Sequence, residues 1–164
     1  MTAPRSGENV ATLRRATRRE GRQLALSAVF EAEFGQRTAS AILERHLEEN
    51  DAPSGAASLA RDLVGAVMLH RDSIDARLAR LAPQYPVGQL ARMDRALLRS
   101  GLGEVLHCPA TPPRVAIAEW VEMARTYSGE PARRLLNGVL GRAATEVGTE
   151  KHSPASAGQP QDGP

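Results

Sequence analysis

Arg14, Arg15, Arg18, Arg19 and Arg22 fall within nine residues, and Glu20 is the one acid among them. Arg15, Arg18, Arg19 and Arg22 recur at i, i+3, i+4 and i+7, so a helix places them on one face. Leu26, Val29 and Phe30 continue that face, which changes from cationic to apolar along a single stripe. The simplest geometry lets the first turns project past the edge of the core, with the guanidinium groups in solvent. Planar forks of N–H donors match phosphate oxygens bidentately. Five like charges this close also repel one another unless a polyanion is present. The cluster points to RNA or DNA; a solvated, frayed helix start is the alternative.

Arg133 and Arg134 form a second basic pair, just after Gly129-Glu130-Pro131-Ala132. Backbone N–H groups at a helix start favour anions, so two arginines there oppose the dipole unless an anion is close. Pairing with Glu130 is the competing reading. Tyr127 beside this turn suits either base stacking or the core.

Catalytic patterns are weak. Glu119 and Glu122 share a helix face, as do Asp72 and Asp75, but such i, i+3 carboxylates are common on exposed faces. His107 adjoins Cys108, yet sequence neighbours at a helix end rarely face each other as nucleophile and base. There is no phosphate-cradling glycine loop, no HExxH and no GxSxG. The expectation is a protein that is not an enzyme, with no cofactor and no metal.

The chain has 164 residues, 21 basic and 19 acidic, for a net charge of +2. Twenty of the basic residues are Arg, and Lys151 is the only lysine. An Ala- and Arg-rich composition of the kind a GC-rich genome produces accounts for that bias, but not for the cluster. No run approaches the ~20 apolar residues of a membrane span. No apolar h-region follows the N-terminal arginines, so no secretory leader is expected. A lone Cys108 and four scattered histidines form neither a disulfide nor a zinc pattern. A reduced, soluble, cytoplasmic protein is expected.

The elements that must position these residues read as helices throughout. Residues 1–12 are polar and small, and 148–164 are rich in Gly, Pro and Ser, so both ends are expected to be disordered. The domain is expected over 13–147. Gly21, Leu24, Ala25, Ala28 and Ala32 trace one face of a first helix. A second spans Thr38 to Glu49 and stops at Asn50-Asp51-Ala52-Pro53. Ser58 is a candidate cap for a long third helix ended by Pro83. Gln84 to Gly88 connects to a fourth helix, which Pro109 breaks. Thr111-Pro112-Pro113 starts a fifth, ending near Ser128-Gly129. A last helix carries Leu135, Leu136, Val139, Leu140, Ala143 and Val147 inward. No stretch alternates with period 2, so the fold class is all-α. Close helix contacts are expected at some of Gly21, Gly101, Gly138 and Gly141, each against a propensity cost of about 1 kcal/mol, with one or two simply tolerated on the surface as the alternative.

Two blocks of the chain carry a family resemblance. One is Arg18-Arg19-Glu20-Gly21-Arg22-Gln23-Leu24-Ala25-Leu26-Ser27-Ala28-Val29-Phe30. The other starts at Met93-Asp94-Arg95-Ala96-Leu97-Leu98-Arg99. It continues through Thr111-Pro112-Pro113-Arg114-Val115-Ala116-Ile117 and Tyr127-Ser128-Gly129-Glu130 to Asn137-Gly138-Val139-Leu140-Gly141. In this order, over about residues 14–147, they resemble the NusB family of bacterial transcription antitermination factors.

The resemblance implies a compact bundle of two small helical subdomains with six to seven helices. It implies binding of boxA RNA from ribosomal RNA operons together with NusE, the small-subunit ribosomal protein, within the RNA polymerase antitermination complex. On the matching positions, Arg14, Arg15, Arg18, Arg19, Arg22, Glu130, Arg133 and Arg134 are the expected RNA contacts. Asp94, Arg95, Arg99, Leu102 and Glu104 are the expected partner face. The chain departs from the family pattern in places. Gly103 stands where Tyr is usual, which removes an aromatic from that partner face. Trp120 stands for a small residue, Pro131 for an acid and Leu135 for an aromatic.

The alternative is a helical interaction scaffold or homodimer with weak or no RNA binding, separable by gel filtration with and without RNA. NusB-like domains also precede ribosomal RNA methyltransferase domains, but 164 residues leave no expected room for a nucleotide-cofactor domain. On the leading reading, Arg18→Ala with Arg22→Ala is expected to reduce the salt dependence of RNA binding.

Overall fold

Six α-helices follow one another in the computed structural model, which describes residues 6–152, with side chains through Gly148. They are α1 (Ser6–Ala32), α2 (Ala39–Glu49), α3 (Ser54–Leu81), α4 (Arg92–His107), α5 (Pro113–Tyr127) and α6 (Glu130–His152). A single 3-10 turn, Val87–Gln89, sits in the connector before α4, and there is no strand among the described residues. The first three helices pack on one another, as do the last three, and α4 joins the halves by lying against both α1 and α3. One apolar core runs through both halves, from Leu24 and Leu26 to Leu136 and Leu140.

Local chemistry sets most helix ends. The Thr38 hydroxyl accepts the Ala41 N–H at 3.2 Å and caps α2. Pro113 occupies the first turn of α5, where its missing N–H costs nothing. Between α5 and α6 only Ser128 and Gly129 intervene. Gly129 has φ +118°, which an L side chain rarely adopts, so the turn requires glycine.

Three expectations need correction. The long third helix begins at Ser54, after Pro53, rather than at a Ser58 cap; burial of Ala56 and Ala57 extends it a turn earlier. Helix α1 begins at Ser6, inside the arm expected to be disordered over 1–12. Its first turns extend the packed helix into solvent, and Thr12 donates its hydroxyl to the Glu8 carbonyl at 2.8 Å. The tail expected over 148–164 carries α6 to His152, and the remainder lies outside the described residues, as do residues 1–5.

The glycines divide. A Cβ on Gly21 meets the Ala56 carbonyl oxygen at 2.8 Å, and one on Gly101 meets Leu140 at 3.0 Å. Both sites are close helix crossings. Gly141 has nothing within 4 Å and Gly138 only the Arg142 guanidinium, so these two are not close helix contacts.

Candidate nucleic-acid interface

The arginine stripe on α1 is graded from solvent to core. Arg14 and Arg15 are exposed, with no ion-pair partner among the described residues. Arg18 is half-buried and donates through Nη2 to the Thr111 hydroxyl at 2.8 Å. Arg19 reaches Glu119 on α5 through both Nε and Nη2, at 3.2 and 3.3 Å. Arg22, one turn further on, is only 2% exposed. Its Nε and Nη2 bind the two Glu104 carboxylate oxygens at 2.8 and 2.9 Å.

Glu104 is the hub beneath this surface. Besides Arg22 it accepts the Trp120 indole N–H at 2.8 Å and a hydrogen bond from Thr111. Burial pushes its carboxyl up, but Arg22 above all, with Trp120 and Thr111, holds it below the usual carboxylate range. The Thr111 hydroxyl that accepts from Arg18 also helps to hold the Glu104 carboxyl down.

The second basic cluster lies beside the first. Glu130 pairs with Arg133 at 2.5 Å and lies 4.0 Å from Arg134, so the local pairing weighed from the sequence is formed. Arg134 nevertheless remains 71% exposed. On α5, Glu122 pairs with Arg125. Its carboxyl is held down first by that bond and then by the fields of Arg19 and Arg133, one from each cluster. Arg19, Glu119, Glu122, Arg125, Glu130 and Arg133 therefore form one continuous acid–base surface. It joins the N-terminal helix to the last one, with Arg14 and Arg15, unpaired among the described residues, at one end and the largely exposed Arg134 at the other.

The model of the NusB family matches residues 19–145. The chain belongs to the NusB family. It is 33% identical over 141 residues to transcription antitermination protein NusB of Heliobacterium modesticaldum, covering 86% of this chain and 68% of that protein. It is 35% identical over 124 residues to transcription antitermination protein NusB of Dehalococcoides mccartyi strain CBDB1, covering 76% and 87%. Among solved structures, T. maritima NusB superposes with a TM-score of 0.73 at 30% identity, over 79% of this chain and 91% of that one. The structure of antitermination factors NusB and NusE in complex with dsRNA gives a TM-score of 0.72 at 20% identity, covering 80% and 98%. At that identity the likeness is one of fold.

Within this NusB-family chain the RNA-contact and partner assignments made from the sequence divide by burial. Arg22 cannot reach a ligand at the surface, because its guanidinium is enclosed with Glu104. Of the expected partner face, Leu102 and Glu104 are fully buried. Arg99 is also buried, bound to Glu33 at 2.6 Å and to both Asp75 oxygens at 2.8 Å. Arg95 is turned onto Glu33 and the Val87 and Leu90 carbonyls. Asp94 stays at the surface, where the Ser128 hydroxyl donates to it at 2.5 Å. Gly103 likewise points inward: its missing Cβ would stand 3.1 Å from Val67 on α3, so no aromatic could occupy the site without displacing that helix. Of the five residues Asp94 is the one that stays at the surface without an arginine's ion pairs, because one side of α4 packs against α1 and α3.

Sequence reasoning missed Glu33, Asp75 and Trp120 as structural partners. No local pattern marks them, since their arginine and glutamate partners are 16 to 66 residues away. Most of the catalytic candidates have structural roles. Glu119, Glu122 and Asp75 hold arginines. The His107 ring stacks on His70 at 3.6 Å, where α3 leaves helical geometry. Burial pushes the Cys108 thiol up to about 11, which keeps it protonated and a poor nucleophile at neutral pH. No group of three His, Cys, Asp or Glu able to hold a metal occurs among the described residues. No described helix is long and apolar enough to cross a membrane.

Proposed function

We propose that this chain is an RNA-binding transcription antitermination factor that acts in the cytoplasm, without catalysis of its own. It binds boxA-type RNA of ribosomal RNA operons together with NusE, as part of an RNA polymerase antitermination complex. The observation that carries this reading is the meeting of the two basic clusters, more than 100 residues apart in sequence, on one surface through Glu119 and Glu122. Arg14, Arg15, Arg18, Arg19, Arg133 and Arg134 are the proposed phosphate contacts. Glu130 orients Arg133, and Arg22 supports the site from beneath by fixing Glu104. Asp94, beside Ser128, is the proposed point on α4 for partner docking.

The test is a titration of labelled single-stranded boxA RNA at several salt concentrations, with and without NusE. Six phosphate contacts on a single strand correspond to a log K against log salt slope of about −4. Affinity should rise when NusE is present. Binding that is absent under both conditions, or insensitive to salt, would count against the reading.

A further inference from the structure

A groove opens beside Arg134, at the α6 end of this surface. It lies between the α3–α4 connector and α6, holds about 390 Å³, and is lined by Tyr85, Arg134, Leu135, Gly138 and Arg142 among others. Tyr85 is 47% exposed, although a tyrosine ring usually buries its apolar faces. Leu135 is half-buried beside it and supplies an apolar wall. The guanidinium of Arg142 is not free to wander: its Nε donates to the Gly138 carbonyl at 3.1 Å, and Nη2 lies over Gly138, 3.5 Å from where a Cβ would sit. No carboxylate lines the groove, and no ion pair holds Arg142 among the described residues. The groove thus combines one open ring, one apolar wall and two cations with hydrogen-bonding capacity to spare.

We infer that this groove is a nucleotide subsite. One unpaired base of the RNA stacks on Tyr85 against Leu135, while Arg134 and Arg142 hold its phosphate. Ring stacking plus guanidinium contacts is how single-stranded nucleic acid is held without base-specific hydrogen bonds. The volume suits one nucleotide rather than a helix or peptide segment. Continuity also favours RNA: Arg134 belongs both to this groove and to the cluster at the start of α6, so a strand held by the arginines of the α1–α5–α6 surface runs on into it. An acidic peptide would satisfy the arginines but would leave the ring unused. The inference rests on the RNA-binding reading and adds Tyr85 and Arg142 to it.

The experiment uses the full-length chain with labelled single-stranded boxA RNA carrying flanking nucleotides, and the same RNA with those nucleotides made abasic. Tyr85→Leu should weaken binding of the intact RNA about fivefold or more with the salt slope unchanged, and Tyr85→Phe should bind like wild type. Arg142→Gln should lower the salt slope by about 0.7. Abasic RNA should cost the wild-type chain the same factor and Tyr85→Leu nothing further. If Tyr85→Leu and Arg142→Gln both match wild type while Arg14→Ala with Arg15→Ala weakens binding, the subsite is wrong and the RNA-binding reading stands. If the wild-type chain binds neither RNA, with or without NusE, both fail together. If an acidic peptide binds the groove and RNA does not protect it, the occupant is a protein and the inference is overturned.

Discussion

Arg22 and Glu104 face each other inside the protein, joined by two hydrogen bonds of 2.8 and 2.9 Å, with neither side chain more than 2% exposed. The arginine belongs by sequence to a surface cluster, but by position it anchors α1 to α4. Removing one partner of such a pair leaves an uncompensated buried charge. Arg22→Ala should therefore lose about 3–5 kcal/mol in urea denaturation. Adding Glu104→Gln should recover part of that loss, since the stranded charge disappears. Equal stability of the two single variants and wild type would contradict the buried pair.

RNA binding should depend on different arginines. Arg14→Ala with Arg15→Ala should reduce the salt slope by about 1.4, two single-strand phosphate contacts. Stability should stay within about 0.5 kcal/mol of wild type, because both side chains are solvated. The Arg18 and Arg22 pair chosen from the sequence makes a poorer test, since Arg22→Ala acts through folding. Loss of binding without a change in slope in the Arg14, Arg15 variant would contradict phosphate contact.

Two glycine substitutions should have opposite signs. A Cβ on Gly21 meets a backbone oxygen of Ala56 at 2.8 Å, which cannot swing aside. Gly21→Ala should destabilise by about 1–3 kcal/mol as α1 and α3 are forced apart. Gly141 sits in the interior of α6 with nothing within 4 Å of a Cβ. Gly141→Ala should stabilise by about 0.5–1 kcal/mol through helix propensity. Thermal or urea unfolding of the two variants measures both.

Acid should unfold the protein through its buried carboxylates. Burial pushes Glu33 up, but the Arg95 hydrogen bond and the fields of Arg95, Arg99 and Arg71 bring it below its ordinary 4.5; Glu104 behaves alike. A carboxyl with a lower pKa folded than unfolded contributes its full stability above the unfolded value and loses it as pH falls through the folded one. Stability should therefore decline below about pH 4.5. Glu104→Gln should be less stable at neutral pH yet lose less on acidification. Urea unfolding followed by the single tryptophan, Trp120, checks this, and an acid slope unchanged in the variant would exclude Glu104 as a contributor.

The local determinants of this protein are legible along the chain. Thr38, Asn50-Asp51-Ala52-Pro53, Pro113 and Ser128-Gly129 delimit helices because caps, prolines and positive-φ glycines act on their immediate neighbours. The all-helical class follows from 3.6-residue periodicity for the same reason, and the two basic clusters are visible because they are contiguous. Tertiary structure alone decided which of those arginines meet water. Periodicity places Arg15, Arg18, Arg19 and Arg22 on one face, but it carries no information on how far the core reaches along that face. The reach is set where α3 and α4 pack on α1, bringing Glu104, 82 residues away, against Arg22 while Arg14 and Arg15 remain beyond the edge. The same crossings turned Leu102, Gly103 and Glu104 inward and brought Arg19 and Arg133 to either side of Glu122. A charge is buried or exposed according to its distant neighbours, and the chain's own order does not encode those distances locally.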